Sequence, residues 1–258
     1  MTHPPARRIL VTGASRGIGR AVAQAFAAQG DTVAVHYASS PADAEETLAS
    51  LDGTGHALVQ GDVSDPDAAR RIVQEAVDAL GGVDVLVNNA AVAPGPGNRH
   101  RIGEVAYDEW QGAWRRMIDV DLLGAANITY CVADHLIGRD APGSIVNVGS
   151  RGAFRGEPDF PAYGAAKAAL HAFGQSMAVA LAPHDISVTS VAPGFVSTER
   201  QVDKLDGPDG DELRSQSPHG RVGTADEVAN AVVYLASPGA AWSTGAVLDV
   251  NGASYLRT

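Results

Sequence analysis

Seven short runs of β-branched and apolar residues alternate with longer Ala-rich segments, and that alternation constrains the fold more than any single residue. The runs fall at 8–12, 32–37, 56–60, 83–88, 144–148, 186–191 and 246–250. Several are nearly continuous in apolar character (Val83-Asp84-Val85-Leu86-Val87), the pattern of strands covered on both faces. Between them the spacing predicts helices near 17–29, 41–51, 66–80, 108–138, 161–182 and 225–236. Asp65 before Pro66 fits an N-cap followed by a first-turn proline, and Thr224 with Glu227 fits a capping box. Such alternation implies right-handed crossovers, so the expected fold is α/β, a doubly wound parallel sheet of about seven strands with helices on both faces. With no linker or internal repeat, residues 1–258 are expected to form one domain. Two segments exceed ordinary loop length: 93–105, rich in Gly and Pro, and 195–223, which is polar. Both follow strand ends, where open α/β sheets bind ligands, and are expected to rim and cover a substrate; plain surface insertion is the alternative.

Composition removes several function classes. Among 258 residues, 19 Lys plus Arg stand against 30 Asp plus Glu, a net charge of -11. Nucleic-acid and anionic-membrane surfaces depend on dense positive charge, so neither is expected as a partner. The single Cys131 has no cysteine to pair with. No apolar run approaches the ~20 residues of a membrane helix, and the N-terminus lacks a signal-peptide core. A cytoplasmic location is therefore expected. The eight histidines show no metal-ligand spacing, and no metal site is expected. Of the cations, 17 are arginine, and only Lys167 and Lys204 are lysine.

The first strand runs into Thr12-Gly13-Ala14-Ser15-Arg16-Gly17-Ile18-Gly19. Glycines there allow a tight turn and let backbone N–H groups approach a pyrophosphate at a helix N-terminus. The second strand ends in His36-Tyr37-Ala38-Ser39-Ser40, with no carboxylate before Asp43. A carboxylate at that strand end binds the free ribose hydroxyls of NAD and would repel a 2′-phosphate. Serine hydroxyls and Arg16 would receive that phosphate, so NADP(H) is expected over NAD(H); helix capping is the alternative role for the serines. Tyr163 and Lys167 share one helix face, four residues apart. The ammonium is expected to favour the phenolate and bring Tyr163 toward working pH. Ser150, 13 residues before Tyr163, lies just past a strand end.

These residues resemble the single-domain short-chain dehydrogenases/reductases, with a Rossmann-like fold, over nearly the whole chain. Thr12 to Gly19 is similar to the family's TGxxxGxG turn, and Asn88-Asn89-Ala90 to its NNAG stretch. Ser150, Tyr163 and Lys167 fall on its catalytic Ser and YxxxK positions. The resemblance implies cofactor contacts from Gly13, Ser15, Arg16, Gly17, Ile18 and Gly19, and from Tyr37, Ala38, Ser39 and Ser40. It adds Asp62 and Val63 at the adenine, with Asn89, Ala90, Tyr163 and Lys167. Pro193, Gly194, Val196 and Thr198 resemble the segment that holds the nicotinamide amide. The region from Gly245 to Gly252 resembles the last strand, which in the family ends near a subunit interface; a homotetramer or homodimer is implied.

Two positions depart from the family. Ala91 stands where it usually has glycine, and Asp121 where it has a catalytic asparagine that supports a proton path to the lysine. A carboxylate turned toward Lys167 would partly cancel the effect of the ammonium on Tyr163. The expected function is NADPH-dependent hydride transfer to a carbonyl, or the reverse alcohol oxidation, with Tyr163 as general acid/base. A ketone is the expected substrate, with a 3-oxoacyl thioester as one candidate. The alternative is a cofactor-binding regulatory or scaffold protein whose catalysis Asp121 has weakened. An acidic carrier protein would need a basic patch, for which Arg115, Arg116, Arg151 and Arg155 are the candidates, although solvated charge is the preferred reading of them. Trp110 and Trp114, on one helix face, are read as core or interface.

Overall fold

Side chains alternate across a strand, so β1 (Arg8–Val11) defines both faces of the sheet. Ile9 and Val11 enter one core and Leu10 the other. The structure, a computed structural model, describes residues 6–208 and 210–257; the side chains of Arg200, Asp203 and Lys204 lie outside that description. Downstream come α1 (Gly17–Ala27), β2 (Thr32–Tyr37), α2 (Pro41–Ala49), β3 (Ala57–Gln60), α3 (Pro66–Leu80) and β4 (Val85–Asn88). They are followed by α4 (Tyr107–Ile118), α5 (Ala125–Gly138), β5 (Gly143–Val148), a short α6 (Gly152–Arg155), α7 (Pro161–Leu181) and β6 (Ile186–Pro193). The last third holds β7 (Val196–Ser197), α8 (Val202–Leu205), α9 (Gly210–Ser215), β8 (Gly223–Thr224), α10 (Ala225–Leu235) and β9 (Val247–Val250).

Seven parallel strands form one sheet in the order β3-β2-β1-β4-β5-β6-β9. On one face, Val22 and Phe26 of α1 and Val228 and Val232 of α10 pack on Ile9, Val11, Val33 and Val35. On the other, Ile72 of α3, Ile128 and Leu136 of α5 and Leu181 of α7 pack on Leu10, Leu86 and Ile145. Strand order reverses between β1 and β4, which opens a crevice at their C-terminal ends. Asp65 caps α3 by accepting from the Asp67 N–H, and Thr224 and Glu227 form the expected capping box.

Two regions differ from the sequence expectation. Residues 108–138 are helical throughout, as expected, but a π-type stretch, Asp119–Gly124, lies between α4 and α5. Gly124 packs there on Val63, whose Cγ2 would stand 2.7 Å from a Cβ, and Asp121 turns into the interior. Segment 195–223 is not a bare loop but carries β7, α8, α9 and β8, pieces too short to leave a periodic pattern. Among the described residues, no helix is long and apolar enough to cross a membrane.

Candidate functional site

The crevice between β1 and β4 widens into a cavity of about 830 Å³ running from the glycine-rich turn to the N-terminal end of α7. Hydrogen bonds cross the switch point. Thr12 Oγ1 accepts from the N–H groups of Asn89 (2.9 Å) and Ala90 (3.1 Å). Asn89 Nδ2 donates back to the carbonyls of Thr12 and Gly13, both at 2.9 Å. Gly13 sits at φ +64°, a left-handed conformation that favours glycine. At Gly19 a Cβ would stand 2.3 Å from the Gly13 carbonyl oxygen, so the helix start tolerates no side chain.

All the residues expected to touch the cofactor line this one cavity: Gly13, Ser15, Arg16, Gly17, Ile18, Gly19, Tyr37, Ala38, Ser39, Ser40, Asp62 and Val63 toward one end. Asn89, Ala90, Tyr163, Lys167, Pro193, Gly194, Val196 and Thr198 line it toward the other, with Ser150 and Ala91. Arg16 Nη1 lies 3.6 Å from Asp43 Oδ2, while its Nε is buried without a partner. Ser40 precedes α2 but makes no side-chain cap, so the alternative role for this hydroxyl is not used. Asp62 accepts from the Ser64 N–H, the Ser64 hydroxyl and Arg116. Burial pushes its carboxyl up, but these hydrogen bonds outweigh that and hold it below the usual carboxylate range.

At the other end, Ser150 and Tyr163 line the cavity together, and Ser150 Oγ accepts from the Gly152 N–H at 3.0 Å. Lys167 is buried; its Nζ donates to the Val148 carbonyl (3.1 Å) and lies 5.8 Å from the Tyr163 ring centre. Asp121 stands behind Lys167 rather than on the cavity wall. Its Oδ1 accepts from the Val92 N–H at 2.7 Å, and its Oδ2 lies 3.7 Å from Lys167 Nζ without a hydrogen bond. Burial raises the Asp121 carboxyl, against the pull of Lys167. The expectation that Lys167 brings Tyr163 toward neutrality is not met. Burial pushes the phenol well above its ordinary value, the Ser150 hydrogen bond offsets part of this, and the Asp121 and Glu157 carboxylates add to it. The ammonium is shared with Val148 and faced by Asp121, which cancels its field at the phenol.

The four arginines do not form one patch. Arg116 is 3.1 Å from Asp62, Arg115 donates to Gln111, and Arg155 reaches Gln216. Arg151, read from sequence as solvated charge, is buried at 7% exposure. On α4, Tyr107, Trp110 and Trp114 form a run of rings with centres 6.1 and 5.2 Å apart, and both indole N–H groups lack partners.

Three histidines with no motif to announce them hold the site in place. His36 accepts from the Gly13 N–H at Nδ1 (3.0 Å) and donates from Nε2 to the Gly61 carbonyl (3.0 Å), which fixes a neutral ring under the glycine-rich turn. Burial lowers its pKa to about 4. His171 packs under Gly149 and stacks on Phe154, and burial lowers it to about 4 as well. His100, from segment 93–105, accepts at Nε2 from the Ala162 N–H (3.1 Å), an orphan donor at the start of α7, and its Nδ1 meets the Asn98 carbonyl (2.7 Å). The residue beside Tyr163 is thereby fixed from a segment 62 positions away.

A family model described as enoyl-(acyl carrier protein) reductase matches residues 13–253. An L-rhamnose 1-dehydrogenase (NAD(P)(+)) of Sphingomonas sp. is 37% identical over 254 residues, covering 97% of this chain and 97% of that one. A 3-oxoacyl-acyl-carrier-protein reductase of Staphylococcus aureus is 34% identical over 249 residues, covering 96% and 97%. Among solved structures, a short-chain dehydrogenase from Burkholderia cenocepacia in complex with NADP superposes with a TM-score of 0.85 at 31% identity, covering 98% of this chain and 99% of that one. Matches that run nearly end to end to both dehydrogenases and reductases lead to one conclusion: this chain belongs to the short-chain dehydrogenase/reductase family of oxidoreductases.

Proposed function

We propose that this chain is an NADP(H)-dependent reductase that transfers hydride to a ketone, and the reverse at alkaline pH, within one catalytic unit. The observation that carries it is the convergence of Ser150, Tyr163 and Lys167 on the cavity that opens from the glycine-rich turn. The crevice fits a dinucleotide: Gly19 admits a close approach to backbone N–H groups, and the buried Arg16 Nε is an orphan donor beside Ser39 and Ser40. Asp43 pairs with Arg16 at 3.6 Å, and that pair is exposed enough to yield to a 2′-phosphate.

When bound, the nicotinamide supplies the hydride. Ser150 orients and polarises the carbonyl by donating to its oxygen. The raised Tyr163 phenol is protonated at neutral pH and gives its proton from Oη to that oxygen as the carbon accepts hydride, which leaves a phenolate to be reprotonated. Lys167 holds the ribose and the charge beside Tyr163, and Asp121 sets how strongly. Alcohol oxidation needs the phenolate at the outset, hence the alkaline requirement. Segments 93–105 and 195–223 close the substrate end. A 3-oxoacyl group on an acidic carrier is disfavoured, because Arg116 pairs with Asp62 and Arg151 is buried, which leaves no exposed patch of all four arginines. The exposed apolar side chains of Leu123, Tyr130 and Ile137, seven residues apart along one helical run, support a homodimer or homotetramer.

NADPH and NADH oxidation with ketones, aldehydes and 3-oxoacyl thioesters tests this. Turnover of ketones with NADPH preferred, and a preference reduced roughly tenfold or more by Arg16→Ala, is expected. NADH preferred over NADPH would contradict the cofactor reading. NADPH binding without turnover of any carbonyl would select the second reading, a regulatory or scaffold protein, which the Asp121–Lys167 pair favours.

A further inference from the structure

Arg151 follows Ser150 directly and is buried, yet its guanidinium has only neutral partners: Nη1 donates to Ser254 Oγ and Nη2 to Gln216 Oε1. Arg155, four residues on, donates from Nη1 to the same Gln216 oxygen at 3.3 Å. Two cations thus converge on one amide oxygen. Neither guanidinium takes part in the ion pairs of Asp159, Asp249 or Glu227. Nearby acids are engaged elsewhere: Asp159 by Arg99 and Arg101, Asp249 by Arg257, and Glu227 by Arg221. Glu157, on the same wall, sets one negative charge against the two guanidinium groups. A buried cation without a counter-charge is costly, and a planar guanidinium matches a carboxylate best. Arg151 and Gln216 line both the main cavity and an adjoining one of about 190 Å³, so the meeting point opens toward Ser150 and Tyr163.

Building on the reductase reading above, we infer that the substrate is a compact oxo-acid, its carboxylate received by Arg151 and Arg155 where the Gln216 amide oxygen now stands. The acid supplies a second negative charge beside Glu157, and Gln216, on the segment after α9, swings aside to admit it. Ser150 and Tyr163 then meet the ketone at the other end of the molecule. A neutral ketone of equal size leaves both guanidinium groups on the amide and forfeits this contact.

The test pairs small oxo-acids with their methyl esters, in kcat/KM with NADPH and in thermal stabilisation of the NADPH complex. The acid is expected to exceed the ester by roughly 100-fold in kcat/KM. Arg155→Gln, at an exposed position, is expected to cut that ratio about tenfold, and Arg151→Gln further. An ester turned over as well as its acid, or a ratio unchanged in Arg155→Gln, overturns the inference while the reductase reading stands. If neither compound turns over, the ketone and aldehyde panel decides the reductase reading separately, and the binding arm decides the site: stabilisation by the acid alone upholds it, and equal or no stabilisation overturns it.

Discussion

The two ends of the cavity are built differently. The end proposed for the nucleotide is made of backbone: Gly13, Gly17 and Gly19 form the turn, and Thr12 and Asn89 lock it to the neighbouring strand. The substrate end is made of long side chains from distant segments, with Arg151 reaching Gln216 and Ser254, 65 and 103 positions away. A buried histidine sits under each. His36 has both ring nitrogens partnered, whereas those of His171 meet no partner at hydrogen-bond geometry. A backbone cradle is fixed by local sterics and serves any member of a cofactor class; a side-chain cradle is chain-specific and sets which substrate enters.

The comparison breaks most visibly at Gly19. Gly19→Ala drives a methyl group into the Gly13 carbonyl, and cofactor Kd, followed by NADPH fluorescence, is expected to rise roughly 100-fold or more. Retained affinity would mean that the turn is not the nucleotide cradle. At the catalytic end, Asp121→Asn removes a carboxylate that raises Tyr163 and frees the charge of Lys167. The phenolate becomes easier to form, so the pH profile of alcohol oxidation moves to lower pH. Oxidation at pH 8 rises by roughly threefold to tenfold. A profile that stays in place or moves to higher pH contradicts the assigned role of Asp121.

A third effect is on stability and involves both ends. His36 and His171 fold as neutral rings with pKa values lowered to about 4 from 6.5. Between those values the unfolded chain binds protons that the folded one does not. Their contribution is whole above about pH 6.5 and is lost as pH falls toward 4, by up to roughly 3 kcal/mol per histidine. Tm is expected to fall steadily from pH 6.5 to 4.5, above the range where paired carboxylates protonate; a flat Tm there would show the rings to be accessible.

What could be read in advance followed from local chemistry. Pro66–Leu80 forms over the residues expected, because Asp65 and Pro66 mark its start and Gly81, at φ +75°, its end. The glycine-rich turn and the Tyr163–Lys167 pair depend on spacings shorter than one helix turn or one loop. The π-type turn at Asp119–Gly124 left no trace, because Gly124 meeting Val63 is a tertiary contact. A lone histidine such as His100 carries no spacing that ties it to Ala162. The same holds for Arg151, where solvated charge was the ordinary reading and burial by segments far along the chain decided otherwise. Rarity of lysine singled out Lys167, which is buried, and the Asp121 departure raised the prospect of a carboxylate against its charge. That Asp121 turns toward the ammonium, at 3.7 Å, is a matter of tertiary packing.

Tyr163 is the group on which the proposed chemistry turns, and Tyr163→Phe removes its hydroxyl while leaving the ring. The decisive measurement is kcat for ketone reduction in that variant beside its NADPH Kd. A fall in kcat of roughly 1000-fold or more with Kd within about threefold of the parent is expected. A variant that turns over at near-parental rate would contradict proton transfer from Tyr163 and with it the proposed reaction.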